Sequence, residues 1–461
     1  MHMPRIASRL GAPCAALSLA FLGLPAGAAD FIVNQTDDRY DGVCDAHCSL
    51  RDAISAANAL PGPDRIILQA ETYRLSLPAG RDEEGDVLDE DDNLNGDLDI
   101  RDSLTLVGQG PSRTVISGSP EANDRLIEVF AGARVVLERL RLTGGHSSTY
   151  GGALENHGEV VLRQVEVSGN RSTAAFQPGN GGGVANHGRL EVHRSLFANN
   201  WAGAGEGHYG LGGGLYNDGD LLLRDSTLLG NRASDDDDAG FGGGLYNKGR
   251  ADVARTTFTG NEASFGSAIG NDGVLTLANA TLSGNRQPYY GQGTFNNGQN
   301  QMGGTPPEAL LVNVTIANNS GGYGLINLGK VTLRNIIIAG NLDEDLATPM
   351  NCDNRGAQAQ YRAIGLLLGT GPGNCTGELY VEQADVMTQV LYPLADNNGR
   401  TQTHALRPHS PAVDAGIGTC TARDQRGSKR PRDGDGDGVA RCDLGAYERP
   451  KPWGGEALSG Y

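Results

Sequence analysis

Through the middle of the chain, apolar residues recur at alternate positions in short runs, and glycine or asparagine separates the runs. In Gly219-Asp220-Leu221-Leu222-Leu223-Arg224, Leu221 and Leu223 are the inward-facing pair of a strand. Equivalent pairs are Val160/Leu162, Leu190/Val192, Leu275/Leu277 and Val331/Leu333. A second apolar series follows in each unit: Val167, Phe197, Leu228, Phe258, Leu282, Ile316 and Ile338. Each unit is marked by Asn-x-Gly, at Asn156, Asn186, Asn217, Asn247, Asn271, Asn296 and Asn327, spaced 24 to 31 residues apart. Another asparagine follows at Asn170, Asn200, Asn231, Asn261, Asn285, Asn319 and Asn341, always 14 residues on except where an insertion intervenes.

A constant segment and a variable one, repeated in tandem, describe a solenoid with fixed rungs and loops free to vary on one flank. The period within the constant segment is that of strands, so the predicted fold is all-β: a right-handed parallel β-helix. Its asparagines are expected to stack as ladders, and its apolar pairs to form one continuous core. Charges support the register. Glu159, Arg189, Asp220 and Arg250 alternate in sign after successive Asn-x-Gly turns, and so do Arg194, Asp225 and Arg255. Stacked about 4.8 Å apart, such residues attract their neighbours and penalise a slip of one coil.

Composition narrows the class. Glycine contributes 69 of 461 residues and aromatic residues only 5%. Stacked coils tolerate so thin a core, because each buries its apolar face against the next. Lys and Arg number 37 against 55 Asp and Glu, a net charge of −18. That balance argues against nucleic acid as a partner, since phosphate binding needs a basic face. No apolar run of about 20 residues follows the N-terminus, so no membrane span is expected there.

The first 29 residues read as an export signal: Arg5 and Arg9, an apolar stretch from Ala15 to Leu24, then Pro25-Ala26-Gly27-Ala28-Ala29. An N-terminal helix of the fold is the competing reading. Beyond the leader, six cysteines form three local pairs, Cys44/Cys48, Cys352/Cys375 and Cys420/Cys442. In an oxidising compartment local disulfides are the simplest pairing. Zinc is the rival for Cys44 and Cys48, but no second pair lies nearby.

Cys48-Ser49-Leu50-Arg51-Asp52-Ala53-Ile54, with Ala56-Ala57-Asn58, resembles the N-terminal signature of bacterial CSLREA-domain proteins, Asp52 replacing the usual Glu. Ser410-Pro411-Ala412-Val413-Asp414-Ala415-Gly416, Asp424-Gln425-Arg426-Gly427 and Cys442-Asp443-Leu444-Gly445-Ala446-Tyr447-Glu448 resemble the choice-of-anchor Q domain. Gly151-Gly152-Ala153-Leu154, Phe197-x-x-Asn200 and Phe258-x-x-Asn261 are similar to polymorphic outer-membrane repeats. The resemblance implies a secreted or surface right-handed parallel β-helix. The expected organisation is a leader at 1–29, an N-terminal cap at 30–64 with a helix from Ser49 to Leu60, coils at 65–375, a C-terminal cap at 376–450 and a flexible tail at 451–461.

Two acidic loops have the spacing of calcium sites. Asp91-x-Asn93-x-Asn95-Gly96, with Asp97, Asp99 and Asp102, sets oxygen ligands at alternate positions around a glycine turn. Asp433-x-Asp435-x-Asp437-Gly438, with the carbonyl of Val439 and with Asp443, is the second. Ca²⁺ is therefore the expected ion, a solvated acidic turn the alternative for each loop, and no organic cofactor is expected. The variable loops carry Trp201, His208, Tyr209, Tyr289 and Tyr290 beside Glu206, Asp235 and Asp237. Aromatic rings beside carboxylates suit a sugar-binding surface. These loops could equally just cover the flank. Glu206, Asp235 and Asp237 are the weak catalytic candidates, since glycoside cleavage needs paired carboxylates.

The sequence thus predicts an exported, monomeric surface or secreted module that binds glycan or another surface partner. A polysaccharide-acting lyase or glycosidase is the alternative, and a structural spacer of the envelope the third.

Overall fold

Alternation in Asp220–Arg224 places Leu221 and Leu223 inside and leaves Asp220 exposed, and the same choice repeats from coil to coil. The computed structural model describes residues 27–81, 87, 88, 90–120, 122, 124–174, 178–204, 209–233, 240–288, 292–298, 305–356 and 359–451. Among them the chain winds as a parallel β-helix. Each coil contributes a three-residue strand to a ten-stranded sheet and then turns through Asn-x-Gly. It next lays two strands, or one long bent strand, into a twenty-stranded sheet. A third, five-stranded sheet joins coils between His146–Ser147 and Glu262–Ala263.

The register is the one the charges predicted: Glu159 lies opposite Arg189, Arg189 opposite Asp220, and Asp220 opposite Arg250. Arg189 nevertheless pairs along its own strand with Glu191, at 2.7 Å. The apolar series from Val167 to Ile338 is fully buried. Turns between sheets are glycine-rich because backbones crowd there. At Gly213 a Cβ would stand 2.3 Å from the Arg232 carbonyl oxygen, and Gly212 before it has φ of +68°.

Both asparagine ladders form inside the coils. Asn156 donates through Nδ2 to Oδ1 of Asn186 at 2.6 Å, and the chain continues through Asn217, Asn247, Asn271, Asn297 and Asn327 to Asn354. One member differs from the motif. In the coil containing Asn296-Asn297-Gly298 it is Asn297 that aligns with Asn271, and Asn296 faces outward. The second ladder runs from Asn170 to Asn341 and ends at Asn351. Each rung satisfies amide groups that would otherwise be buried without partners.

The N-terminal helix spans Leu50–Ala59. Ser49 and Asp52 form a capping box, and Leu50, Ala53, Ile54 and Ala57 face the core. At the other end, Leu366 and Leu368 join the core beside the Cys352–Cys375 disulfide. The Tyr361 hydroxyl donates to the carbonyl of Thr376 there. Most of 376–450 lies elsewhere than at the end. From Val386 to Tyr447 it packs along the outer flank of the late coils, against Ala317, Ile337, Ala339 and Leu367. The physical reason is visible in those strands: they are apolar on both faces and need cover on both. All three local disulfides are formed, as in proteins of an oxidising compartment outside the cytosol. No helix among the described residues is long and apolar enough to cross a membrane.

Candidate functional site

The middle residue of each strand in the ten-stranded sheet points outward. In register these are Asp99, Glu128, Glu155, Ala185, Tyr216, Tyr246, Gly270, Asn296, Ile326 and Asp353. Two lines of side chains wall this strip. On one side stand the middle residues of Asn-x-Gly: His157, His187, Asp218, Lys248 and Asp272. On the other, Tyr150, Asn180, Leu211, Phe241, Phe265 and Gln292 follow one another through single parallel bridges. The result is a shallow groove-like strip along the solenoid axis, its middle residues nearly buried between the walls, with acids at its early end and aromatic rings further along.

Its polar groups are tied to one another. Arg125 reaches Glu128 at 2.5 Å, Glu155 at 3.2 Å and Asp97 at 3.5 Å. His157 lies 3.0 Å from Glu155 and 3.8 Å from Glu128. His187 stacks on His157 with centroids 4.9 Å apart, and its Nδ1 meets Asp218 at 2.9 Å. The hydrogen bond to Glu155 raises the His157 pKa above the ordinary imidazole value, against the opposing effect of burial. At Asp218 burial works to raise the pKa, but His187 and the Tyr216 hydroxyl hold it below the carboxylate range. Burial beside Asp218 and Asp272 pushes the Tyr216 and Tyr246 phenols up, so both stay neutral donors. Tyr150 meets His187 edge-on at 4.9 Å, Tyr209 meets Phe241 at 5.4 Å, and Phe241 stacks on Phe265 at 4.5 Å. Such a surface can hold a neutral hydroxyl-rich chain by hydrogen bonds and ring contacts.

Of the aromatic residues singled out in the variable loops, Tyr209 joins this groove wall and is 47% exposed. Trp201 belongs to another face. It sits in the five-stranded sheet in register between Arg171 and Arg232, with the Arg171 guanidinium 4.4 Å from its ring. Glu206, His208, Asp235, Asp237, Tyr289 and Tyr290 lie outside the described residues.

The first acidic loop brings only two of its acids, Asp97 and Asp99, to one point. Its backbone carbonyls instead surround a guanidinium. Arg51, fully buried, donates to the carbonyls of Asn95 at 3.0 Å, Gly96 at 2.7 Å and Asp97 at 2.7 Å, and forms a fork with Asp38. The Asn93 amide reaches the Arg51 carbonyl and the Ser55 hydroxyl, and Asn95 accepts from Gly80. Asp91 faces Arg101, while Asp102 accepts from Gly62 and Ser103. Asp97 and Asp99 meet Glu128 within 4.8 Å. In the second loop, Asp433 and Asp435 approach Asp414 within 4.8 Å. Asp437 turns to the Val439 amide, Val439 is exposed, and Asp443 enters a buried network with Glu448 and Arg430. Sequence reasoning missed Asp414 and Glu128 as partners of these acids. It also missed the groove, whose signal was the residue before each Asn-x-Gly and the one inside it.

No protein-family model matches the sequence, and no curated protein matches it. Among solved structures, the chain is similar to the crystal structure of pectate lyase Pel9A, with 16% identity and a TM-score of 0.49, over 92% of this chain and 98% of that one.

Proposed function

We propose that the protein is an exported glycan-binding module, secreted or held at the cell surface, that lays an extended neutral polysaccharide along the groove of the ten-stranded sheet. The observation that carries this reading is the lengthwise order of the groove. Carboxylates and imidazoles line its early rungs and phenol hydroxyls and ring edges its later ones, so an extended polymer would meet polar contacts at one end and ring contacts at the other. The acidic floor disfavours a polyanion there. The export-type leader and the three disulfides fit a ligand met outside the cytosol.

The test is a panel of soluble neutral and acidic polysaccharides, assayed for retention and for new chain ends, with and without Ca²⁺. Retention of a neutral glycan, weakened at least about tenfold in Tyr209→Ala combined with Asp218→Asn, is the expected result. Retention unaltered by both substitutions, or none of any glycan, overturns it.

Polysaccharide cleavage is the second reading. It is favoured by Glu128 and Glu155, carboxylates on adjacent rungs of the groove floor, and paired carboxylates are what glycoside hydrolysis needs. Their ion pairs with Arg125 weigh toward binding. New chain ends that vanish in Glu155→Gln would decide for the enzyme.

A further inference from the structure

A second recess lies on the opposite wall of the solenoid, where the bend of the twenty-stranded sheet meets a loop of the C-terminal segment. It is a crevice of about 590 Å³, lined by Gln164, Arg194, Ser195, Asp225, Thr227 and Arg400 among others. That volume suits a small organic ligand. The bend is a column of left-handed residues, one per coil. In the late coils these are Asn279, Asn313 and Asn335, a residue type that tolerates positive φ. In the early coils the column holds Arg139, Gln164, Arg194, Asp225 and Arg255 at the same φ of 52° to 56°, a conformation arginine adopts at greater cost.

The charges around the crevice are unbalanced in an unexpected direction. Arg255 grips both oxygens of Asp225, at 2.7 and 2.9 Å. Glu166 faces Arg141 at 3.7 Å. Arg194 and Arg400 are exposed and have no side-chain hydrogen bond or ion pair among the described residues. Burial works to raise the Asp225 pKa, but the Arg255 bonds and the fields of Arg400 and Arg194 bring it down, so both guanidiniums act on this spot. Two uncommitted cations therefore face one recess on a chain whose net charge is −18. The guanidinium fork matches a planar or tetrahedral oxyanion in geometry as well as charge, and Thr227 adds a hydroxyl at the edge.

We infer that this crevice is an oxyanion site for an acidic sugar, binding the carboxylate of a uronate or the sulfate ester of a sulfated residue. It is distinct from the groove, whose floor is acidic, and does not depend on the function proposed for it.

Calorimetric titration with trigalacturonate, a sulfated disaccharide and sodium sulfate tests the site, at low and at high NaCl. The control variant combines Arg194→Asn, chosen because asparagine occupies the same left-handed position in later coils, with Arg400→Gln. The expected result is saturable binding of one acidic sugar that weakens at least about tenfold in the double variant. Binding should also weaken at high salt, while the melting temperature holds and Asp218→Asn changes nothing. Equal affinity in wild type and double variant, or no saturable binding of any probe, overturns the inference. Binding of inorganic sulfate alone overturns the assignment to a sugar.

Discussion

The outer flank of the twenty-stranded sheet is polar and open in its early coils, and apolar and covered in its late ones. Early on, Glu166, Ser168, Leu196, Thr227 and Leu229 face outward and are at least partly exposed. Later, Thr315, Ala317, Ile337, Ala339 and Leu367 occupy the equivalent positions and are buried under the C-terminal segment. Polar anchors fix that cover in place. Gln425 bridges Thr257 and Thr281, His404 meets Ser283 at 2.8 Å, and the Asn335 side chain accepts the Ile417 amide. Inside the coils, nothing changes across this boundary: the same two ladders and the same apolar stack continue. One interior thus supports two exteriors. The coil is a scaffold whose outward residues alone decide whether it meets solvent, ligand or its own chain.

The largest effect that would sharpen this contrast is a charge placed under the cover. Ile337→Asp should cost about 4 kcal/mol or more, because an ionised carboxylate would lie in an apolar, covered layer. Leu229→Asp on the open part of the same flank, 41% exposed, should stay within about 0.5 kcal/mol. Urea midpoints of the two variants measure it, and similar losses would erase the distinction between the halves. Next come the ladders, where the halves should agree. Asn231→Ala and Asn319→Ala each strand buried amide groups and should each cost about 2–3 kcal/mol.

The third effect depends on pH and belongs to the covered half alone. Burial beside Glu448 raises the Asp443 pKa to about 7, whereas an unfolded aspartate titrates near about 3.9. The folded chain therefore holds a proton that the unfolded chain releases. The associated stability is full below about pH 4 and is lost as pH rises through about 7. Stability of the C-terminal segment should fall by up to about 2 kcal/mol across that window, and Asp443→Asn should flatten the slope. A hydrogen-exchange profile against pH would show it at Ala412 to Tyr447 and not in the early coils. The smallest effect lies on the open flank. Asp220→Arg, set between Arg189 and Arg250, should lower the melting temperature slightly more than Asp220→Ala. Equal temperatures would mean that the pairing of Arg189 with Glu191 has already spent its attraction.

The solenoid was legible because its signals are repeated. Alternating apolar pairs and asparagines at a constant offset leave one register in which all of them stack. The groove was not legible, because its floor is Glu155, Ala185, Tyr216 and Tyr246 in successive coils. Apart from the tyrosine pair no pattern runs through these positions, and only the register relates them. The flank cover was half visible. Ile336-Ile337-Ile338 and Leu366-Leu367-Leu368 break the alternation, but a run apolar on both faces does not say what covers its outside. The guanidinium in the first acidic loop was hidden for a different reason. The loop's spacing pointed to side-chain oxygens at alternate positions, whereas three consecutive carbonyls hold Arg51, which arrives from more than 40 residues away in sequence.

The alternation of charge along the open flank has one more consequence, which concerns how such a chain can change its length. Arg134, Glu159, Arg189, Asp220 and Arg250 lie in consecutive register, and so do Arg194, Asp225 and Arg255 at the bend. Loss of the coil 157 to 186, for example, would keep the asparagine ladders but set Arg134 against Arg189 and Arg139 against Arg194. Loss of two would restore every pairing: without residues 157 to 217, Arg134 would face Asp220 and Arg139 would face Asp225. The ladders permit any whole number of coils, whereas between Arg134 and Arg250 the charges favour even changes. Growth and shrinkage of these early coils thereby carry a parity preference, written on the surface and absent from the core.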